Sequence, residues 1–250
     1  MEQVLGKGVR GVVAGRKVAV GRINFLRESG AHRESMLAEA NSQRILGHGV
    51  VYVGADDRFI GMIVVNDPLR TGAREAVKHL ATLGMRLILL TGDHPDTAGG
   101  IARSVGIEEV VADTLPAEKY AVVQKLKGEG RVVALCGDGI NDAPALAAAD
   151  VGIAIGSGTS AAIGTAGVTL AHGDLRAIAT ARELSLATVR TLRQNVFLAF
   201  SLNVLAVPIA AGALYAVGGG LINSIWAAAA MGISSLLVIG NSFRLFLRRG

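Results

Sequence analysis

Between Thr71 and Gly156 the sequence alternates between helical patterns and short apolar runs, and this alternation restricts the possible folds more than any other feature. The helical pattern "GAREAVKHLATLG" leads into the apolar run "MRLILLTGD", and "PAEKYAVVQKLKGEG" leads into "RVVALCGD". Strands that alternate with helices predict a parallel, doubly wound sheet of the α/β class. In such sheets ligands bind at the carboxyl ends of the strands, so we expect a site where these two runs end.

The first part of the chain predicts a different, antiparallel structure. The run "GKGVRGVVAGRKVAVGRINFL" alternates apolar and polar residues with glycines between them, which is typical of short strands joined by tight turns. A helix is predicted over "SGAHRESMLAEANSQRILGHG", with Gly47 or Gly49 at its end. The run "VVYVGADDRFIGMIVVNDPLR" then predicts a hairpin that turns at Asp56 and Asp57.

The last part of the chain predicts a transmembrane helical hairpin. Two apolar spans, about 196–217 and 221–243, each approach the ~20 residues that a helix needs to cross a bilayer. Gly218–Gly220 lies between them and predicts a minimal turn. The arginines that flank the two outer ends are Arg190, Arg193, Arg244, Arg248 and Arg249. Because cytoplasmic flanks carry the excess of positive charge, we expect both ends in the cytoplasm; a buried helical pair in a soluble domain is the alternative.

The composition agrees with membrane content and argues against other classes. Apolar residues make up 51% of the chain, which is high for a soluble protein. The single cysteine, Cys136, excludes an internal disulfide, and its place in an apolar run predicts a packed thiol. The net charge is +5, but aromatic residues make up only 4%, so we expect no nucleic acid partner.

The block "CGDGINDAPALAAADVGIAIG" carries the strongest chemical signal. It predicts a strand, a tight loop, a helix of small residues and a second strand. Gly137 and Gly139 permit the tight turn, while Asp138 and Asp142 offer the hard carboxylate oxygens that Mg²⁺ prefers. A loop with carboxylates at the end of a strand is suited to hold a metal ion against a phosphate; an acidic surface turn is the alternative.

Two weaker patterns point to the same chemistry. Thr91, Gly92 and Asp93 directly follow an apolar run, and a hydroxyl beside exposed backbone N–H groups suits a phosphoryl oxygen. Lys119 opens a helical pattern in "LPAEKYAVV". Taken alone, each pattern has an ordinary structural explanation, as a strand-to-loop turn or as a solvated lysine.

In their order along the chain, "TGD", "LPAEK", "GDGINDAPALAAADVGIAIGSGT" and the membrane hairpin resemble the C-terminal part of a heavy-metal-transporting P-type ATPase. The resemblance implies a haloacid dehalogenase-like phosphorylation domain that handles an aspartyl phosphate with the help of Mg²⁺. The catalytic residues that it implies are Thr91, Gly92, Asp93, Lys119 and Asn141, and the Mg²⁺ ligands are Asp138 and Asp142.

The resemblance also implies how the chain is divided. "GKGV" is similar to the glycine pair of the family's nucleotide-binding domain, which would place Gly6 and Gly8 beside ATP. "DPLR" resembles the beginning of the phosphorylation domain. The expected domains are the C-terminal remnant of a nucleotide-binding domain (1–49), the phosphorylation domain (50–182) and a membrane domain (183–250).

Several positions depart from the family pattern. The family carries its phosphorylated aspartate in an Asp-Lys-Thr-Gly-Thr motif, and this sequence contains no such motif. His94 stands where the family usually has asparagine, and Ser160 where aspartate is usual. We therefore expect a part of a pump that lacks its N-terminal portion and is not catalytically complete alone. A non-catalytic membrane module, or half of a split pump, and a haloacid dehalogenase-type phosphatase are the alternatives.

The apolar spans contain candidate ligands for a transported ion. Met231 and Ser235 are four residues apart and so share a helix face, and a thioether is a soft ligand suited to Cu(I). With Asn203 they resemble the copper subgroup, which implies Cu(I) or Ag(I) as the cargo, although Leu202 replaces a usual tyrosine. Simple packing roles are the alternative. The expected location is the plasma membrane, as a multi-pass protein with cytoplasmic soluble domains.

Overall fold

The computed structural model describes residues 1–4, 7–28, 35–56, 58–137, 140–156, 164–170, 172–211 and 224–247. The chain forms two units, Met1–Ala179 and Thr180–Gly250, which are considered separately below.

The first unit begins with an antiparallel sheet of five strands. In sheet order these are β1 (Glu2–Val4), β2 (Gly8–Val13), β3 (Arg16–Gly21), β4 (Gly49–Ala55) and β5 (Arg58–Val65). Two helices, α1 (Ile23–Glu28) and α2 (Ser35–Ile45), join β3 to β4. The core contains Phe25, Leu26, Ala40 and Tyr52, all buried.

The predicted hairpin over β4 and β5 is confirmed, but its partner was not foreseen. The strand β4 pairs with β3 over Val18–Gly21, so the antiparallel sheet runs on through Val65. It therefore extends past residue 49, where the sequence placed the end of the first domain. The pairing joins segments that are far apart in sequence, and the local alternation of residues carries no signal of it.

The rest of the first unit has the expected alternation of helices and parallel strands. Its elements are α3 (Ala73–Thr82), β6 (Ile88–Leu90), α4 (Pro95–Val105), β7 (Glu109–Val111), α5 (Pro116–Gly128), β8 (Ala134–Gly137), α6 (Ala143–Ala148), β9 (Val151–Ile155) and β10 (Val168–Leu170). Local signals explain their ends. For example, α4 begins with Pro95, ends at Gly106 in the left-handed region (φ 86°), and buries Ala98, Ala102 and Val105 on one face.

The parallel strands form two sheets among the residues that the structure describes, rather than one continuous sheet. One sheet contains β6 and β7, and the other has the order β10-β9-β8. In the described sheets β8 pairs only with β9, so it is an edge strand, and its alternate residues Ala134 and Cys136 are exposed. The prediction of a packed Cys136 thiol was wrong for this reason.

The second unit is built on two helices, α7 (Arg176–Ala210) and α8 (Ser224–Leu247), of which α7 begins inside the first unit. One stretch among the described residues, Arg176–Ile209, is long and apolar enough to cross a membrane. The predicted first span begins within this stretch and the second overlaps α8, while the predicted turn at Gly218–Gly220 lies outside the described residues. The two-span hairpin stays a prediction.

Candidate functional site

The loop after β6 is a closed hydrogen-bonded turn. The Thr91 hydroxyl donates to the Asp93 carboxylate (Oγ1 to Oδ2, 2.8 Å) and accepts the Asp93 backbone N–H (3.1 Å). Thr91 and Gly92 are half-buried, and Asp93 is exposed. The three residues predicted to handle a phosphoryl group are thus held in one tight turn at the carboxyl end of a parallel strand.

A second layer of contacts holds this turn from the neighbouring strand. Thr114 donates both its backbone N–H (3.1 Å) and its hydroxyl (2.8 Å) to the Thr91 carbonyl. The Asp113 N–H donates to the Asp93 carbonyl over 2.8 Å, and Asp113 adopts a left-handed φ of 54° to do so. A side chain at Gly92 would place its Cβ 3.2 Å from the Thr114 carbonyl, so this close approach favours glycine.

Arg22 approaches the same loop from the antiparallel sheet. Its guanidinium donates to the Gly92 carbonyl over 2.9 Å and forms an ion pair with Asp113. Its own backbone N–H donates to the Lys7 carbonyl over 2.9 Å, next to Gly8. Sequence analysis missed Arg22, Asp113 and Thr114. Of these three residues, only Thr114 could have been found from the sequence, because it follows a short apolar run as Thr91 does.

Lys119 and Asp142 form the most protected ion pair of the site. The Lys119 ammonium donates to Asp142 Oδ1 over 2.7 Å, and the two side chains are only 18% and 17% exposed. Lys119 lies in the first turn of α5, which begins at Pro116 and is capped by the Glu118 carboxylate accepting the Leu115 N–H (2.7 Å). The structure brings these two predicted site residues together in one ion pair, and their roles stay a prediction.

The start of the acidic loop after β8 favours glycine, because a larger residue would displace the Asp142 side chain. A Cβ on Gly137 would lie 2.9 Å from Asp142 Oδ2 and 3.1 Å from Asp142 Cβ. Asn141 is exposed, and Asp142 directly precedes α6. Asp138 and Gly139 lie outside the described residues. No group of three or more His, Cys, Asp or Glu side chains with metal-binding geometry occurs in the described part of the chain.

The donors present nevertheless suit Mg²⁺, because carboxylate oxygens are hard ligands. One oxygen of Asp142, Oδ1, is bound to Lys119, while Oδ2 points toward the Cα of Gly137 at the end of β8. A metal ion held here would need Asp142 and further oxygens from the same loop. Asp138, the other predicted ligand, belongs to that loop by sequence.

The two loops are connected through α5. Thr114 holds the Thr91 carbonyl, α5 begins two residues later at Pro116, and Lys119 from its first turn reaches Asp142. A hydroxyl with backbone amides thus lies at one end of this connection, and a cation with a carboxylate lies at the other. Such a set of groups can bind a phosphoryl oxygen, neutralise its charge and share a divalent cation with it.

His94, the departure from the family pattern, serves as the cap of α4. Its Nδ1 accepts the Asp96 backbone N–H over 3.3 Å, as an asparagine side chain does at many helix starts. Burial, and then the positive charge of Arg44, lower the pKa of His94 below its ordinary value. Both effects favour the neutral imidazole, which is the form that can accept this hydrogen bond at Nδ1.

The predicted nucleotide glycines are only partly described. Gly6 lies outside the described residues, and Gly8 pairs with Gly21 across β2 and β3. A Cβ on Gly8 would lie 2.4 Å from the Val20 carbonyl and 2.8 Å from Gly21 Cα. Close packing of two strands thus explains Gly8, and its contact with ATP stays a prediction. A cleft of about 450 Å³ lies on this sheet, but Gly8 does not line it.

The predicted cargo ligands lie on the two long helices. Asn203 is on α7, and Met231 and Ser235 are on α8, all three exposed. The Ser235 hydroxyl donates to the Met231 carbonyl over 3.1 Å, which leaves its oxygen lone pairs available. Their joint role as ion ligands stays a prediction.

Comparisons with known proteins show which family the chain belongs to. A family model described as haloacid dehalogenase-like hydrolase matches residues 3–150. The chain is 46% identical over 98% of its length to a copper-exporting P-type ATPase of Legionella pneumophila, and it covers 33% of that protein. It is 48% identical over 96% of its length to a silver exporting P-type ATPase of Salmonella typhimurium, and it covers 29% of that one.

A solved structure shows the same similarity in three dimensions. A zinc-transporting PIB-type ATPase in the E2·Pi state superposes with a TM-score of 0.71 and 34% sequence identity. The match covers 98% of this chain and 38% of that structure. The chain thus spans about a third of the length of the relatives that it matches.

Proposed function

Since the chain belongs to the haloacid dehalogenase-like hydrolases, we propose that it is the C-terminal part of a P-type ATPase that transports Cu(I) or Ag(I). The names of relatives with 46% and 48% identity support this proposal. The observation that carries it is the protected Lys119–Asp142 ion pair, linked through α5 to the Thr91 turn. A lysine, a carboxylate and a hydroxyl with backbone amides are the groups that phosphoryl transfer needs.

Each residue of the site has a defined part in this proposal. The backbone N–H of Gly92 binds one phosphoryl oxygen, and the Thr91 hydroxyl binds another by turning its single hydrogen away from the Asp93 carboxylate, to which it donates in this structure. Lys119 neutralises charge on the phosphoryl group as it is transferred. When Mg²⁺ is bound by Asp138 and Asp142, with Asn141 nearby, it supplies further positive charge for the phosphoryl oxygens.

The acceptor aspartate has to come from outside this sequence, which contains no Asp-Lys-Thr-Gly-Thr motif. The two parallel sheets support a specific way to supply it. In the described sheets β6 pairs only with β7 and β8 only with β9, and both strands end at the site. A strand from the part of the pump that this chain does not cover can pair with one of these edges and present its aspartate there.

Two further parts of the proposal concern nucleotide and membrane. ATP would lie against the antiparallel sheet at Gly6 and Gly8. Arg22 would then lie between the nucleotide site and the phosphoryl site, because its backbone N–H donates to the Lys7 carbonyl and its guanidinium donates to the Gly92 carbonyl.

The helices α7 and α8 would span the plasma membrane twice, with the first unit in the cytoplasm. This topology follows from the flanking arginines and the two apolar spans.

Copper or silver is favoured over zinc as the cargo for chemical reasons. The predicted spans contain Met231, a soft thioether ligand, but neither lysine nor aspartate. The curated relatives above carry copper and silver in their names, whereas the superposed structure is named for zinc and is less similar in sequence. Asn203 and Ser235 would complete the coordination of the ion together with Met231.

A transport assay on a chimera tests this proposal. The chain replaces the corresponding part of the Legionella pneumophila protein, and ATP-dependent uptake of Cu(I), Ag(I) and Zn(II) is measured in inside-out vesicles. We expect uptake of Cu(I) and Ag(I), with loss of both in Met231→Leu and retention in Met85→Leu, a methionine of the soluble part. Uptake of Zn(II) alone, or unchanged Cu(I) uptake in Met231→Leu, would contradict the assignment of the cargo.

A further inference from the structure

A cluster of four polar side chains joins the two helices of the second unit. The Asn195 amide donates to the Ser242 hydroxyl over 2.8 Å. The Asn241 amide donates to the Asn195 carbonyl oxygen over 2.8 Å and to Gln194 Oε1 over 3.4 Å. These four residues, Gln194, Asn195, Asn241 and Ser242, are called the polar clamp below.

The polar clamp lies within a packing seam between α7 and α8. Among residues 231–244 of α8 the half-buried positions are Ser234, Val238 and Asn241, spaced by four and three residues. On α7 the half-buried positions within 191–203 are Thr191, Asn195, Leu198, Ala199, Ser201 and Leu202. Among them Asn195, Leu198 and Leu202 are spaced by three and four. This spacing is typical of helices that pack along a seam with a repeat of seven residues. Asn195 and Asn241 are therefore asparagines within an otherwise largely apolar contact.

The two helices run in opposite directions. Ala210 lies 15 residues past Asn195 on α7, and Ser224 lies 17 residues before Asn241 on α8. If the helices were parallel, these two ends would lie about 48 Å apart along the helix axes, at 1.5 Å per residue. That distance is close to the fully extended reach of about 14 residues. In an antiparallel pair the same two residues lie within about 3 Å of one level, so the connection does not need to be extended.

The polar clamp sets a register that aligns the candidate cargo ligands. Starting from the Asn195–Asn241 pair, eight residues along α7 lead to Asn203, and eight residues back along α8 lead to Ile233. Met231 and Ser235 lie two residues on either side of Ile233, so Asn203 is level with the space between them. Met231 lies three residues before Ser234 and so matches the spacing of the seam, but its side chain is exposed. Asn203 directly follows the seam residue Leu202, and Ser235 directly follows Ser234.

We propose that Asn195 and Asn241 are positioning residues that fix the register of α7 against α8 and thereby keep Asn203 level with Met231 and Ser235. Apolar seam contacts alone tolerate a slip of one helical turn, which would move Asn203 by about 5 Å relative to Met231. A slip of one turn would break the hydrogen bond between the Asn195 and Asn241 amides. An asparagine in the contact between two packed helices is known to fix their register. The consequence for metal binding, though not the register itself, rests on the proposed function.

Cysteine cross-linking of the full chain in detergent micelles tests the register. In a Cys136→Ser background, which has no other cysteine, the pair Leu198→Cys with Val238→Cys reports the native register. The pair Leu198→Cys with Ser234→Cys reports a slip of one turn. We expect the native pair to cross-link in the chain with an intact polar clamp, and the slipped pair to remain largely unlinked.

Replacing both asparagines by leucine should shift this result. Leucine fits an apolar seam, so the helices should still form, but most of the 198–238 cross-link should be lost and the 198–234 product should appear. Asn195→Gln, which keeps an amide, should retain the native product. Thr188→Val is the matched control, because the Thr188 hydroxyl bonds only within α7, to the Leu184 carbonyl. An unchanged 198–238 yield in the double leucine variant would overturn the proposal.

Cu(I) binding by the same variants separates the two proposals. If both hold, the double leucine variant binds Cu(I) as weakly as Met231→Leu, although all three candidate ligands are present. If cross-linking shifts but the unmodified chain binds no Cu(I), the register role stands and the proposed cargo fails. If Cu(I) binding is lost only in Met231→Leu and cross-linking is unchanged, the cargo stands and the register role fails.

Discussion

Replacing Lys119 by glutamine should destabilise the first unit by about 2 kcal/mol. An exposed ion pair contributes about 0–1 kcal/mol, whereas breaking a fully buried one costs about 3–5 kcal/mol. The Lys119 and Asp142 side chains are 18% and 17% exposed and bond over 2.7 Å, so the pair lies between these limits. The cost arises mainly because Asp142 keeps a charge that is largely shielded from water and has lost its partner.

Urea unfolding with pulsed hydrogen exchange measures this cost without interference from the long helices. Peptides from α5 and α6 report the fraction of unfolded first unit at each urea concentration, for the single variants Lys119→Gln and Asp142→Asn and for the double variant. The double variant should lose less unfolding free energy than the sum of the losses in the two single variants, because it leaves neither charge without a partner. An equivalent change of about 6 °C is expected in the melting temperature.

A matched control comes from an exposed ion pair in the same unit. Arg10 bonds Glu2 over 2.8 Å with both side chains more than half exposed, so Arg10→Gln should change stability little. The reasoning about burial is refuted if Lys119→Gln costs no more than Arg10→Gln, or if the double variant shows simple additivity.

Three further predictions follow from other contacts. Gly137→Ala should weaken Mg²⁺ binding by at least about tenfold in a calorimetric titration, because its Cβ would lie 2.9 Å from Asp142 Oδ2, whereas Gly128→Ala, whose Cβ would meet open space, should leave Mg²⁺ binding unchanged. Thr114→Val, which keeps shape but removes the hydroxyl bond to the Thr91 carbonyl, should speed amide exchange in residues 91–93; equal exchange rates would contradict the role of Thr114. The lowered pKa of His94 favours the neutral folded form, so its contribution to stability is present above the ordinary pKa of 6.5 and is lost as the pH falls. Urea midpoints at pH 7.5 and 5.5 should therefore differ less in His94→Asn than in the unsubstituted chain.

Much of the site could be predicted because its residues directly follow apolar runs. The Thr91 turn follows β6 in one parallel sheet and the acidic loop follows β8 in the other, and ligands of parallel sheets bind at the carboxyl ends of the strands. Lys119 could be placed on the first turn of α5 because Pro116 and Glu118 mark a helix start. Its ion pair with Asp142 was not predicted, because the family resemblance assigns Lys119 to the phosphate and Asp142 to Mg²⁺.

The features that were missed depend on contacts between distant parts of the chain. Arg22 reaches Gly92 and Asp113, which are 70 and 91 residues away, and no local pattern distinguishes it from other exposed arginines. Cys136 was expected to be packed because its run is apolar, but burial of a strand depends on neighbours on both of its edges. The pairing of β3 with β4 is likewise a long-range property that short-range alternation does not encode.

The central claim, that this chain is the part of a metal pump that completes a phosphoryl site, is tested most directly by phosphoenzyme formation. The isolated chain and the chimera with the Legionella pneumophila protein are each incubated with γ-labelled ATP and Mg²⁺, with and without Cu(I), and then quenched in acid. The account predicts labelled, acid-stable protein only in the chimera, dependent on Cu(I) and abolished by Lys119→Gln. Label on the isolated chain, or a chimera that is labelled equally well without Lys119, would contradict it.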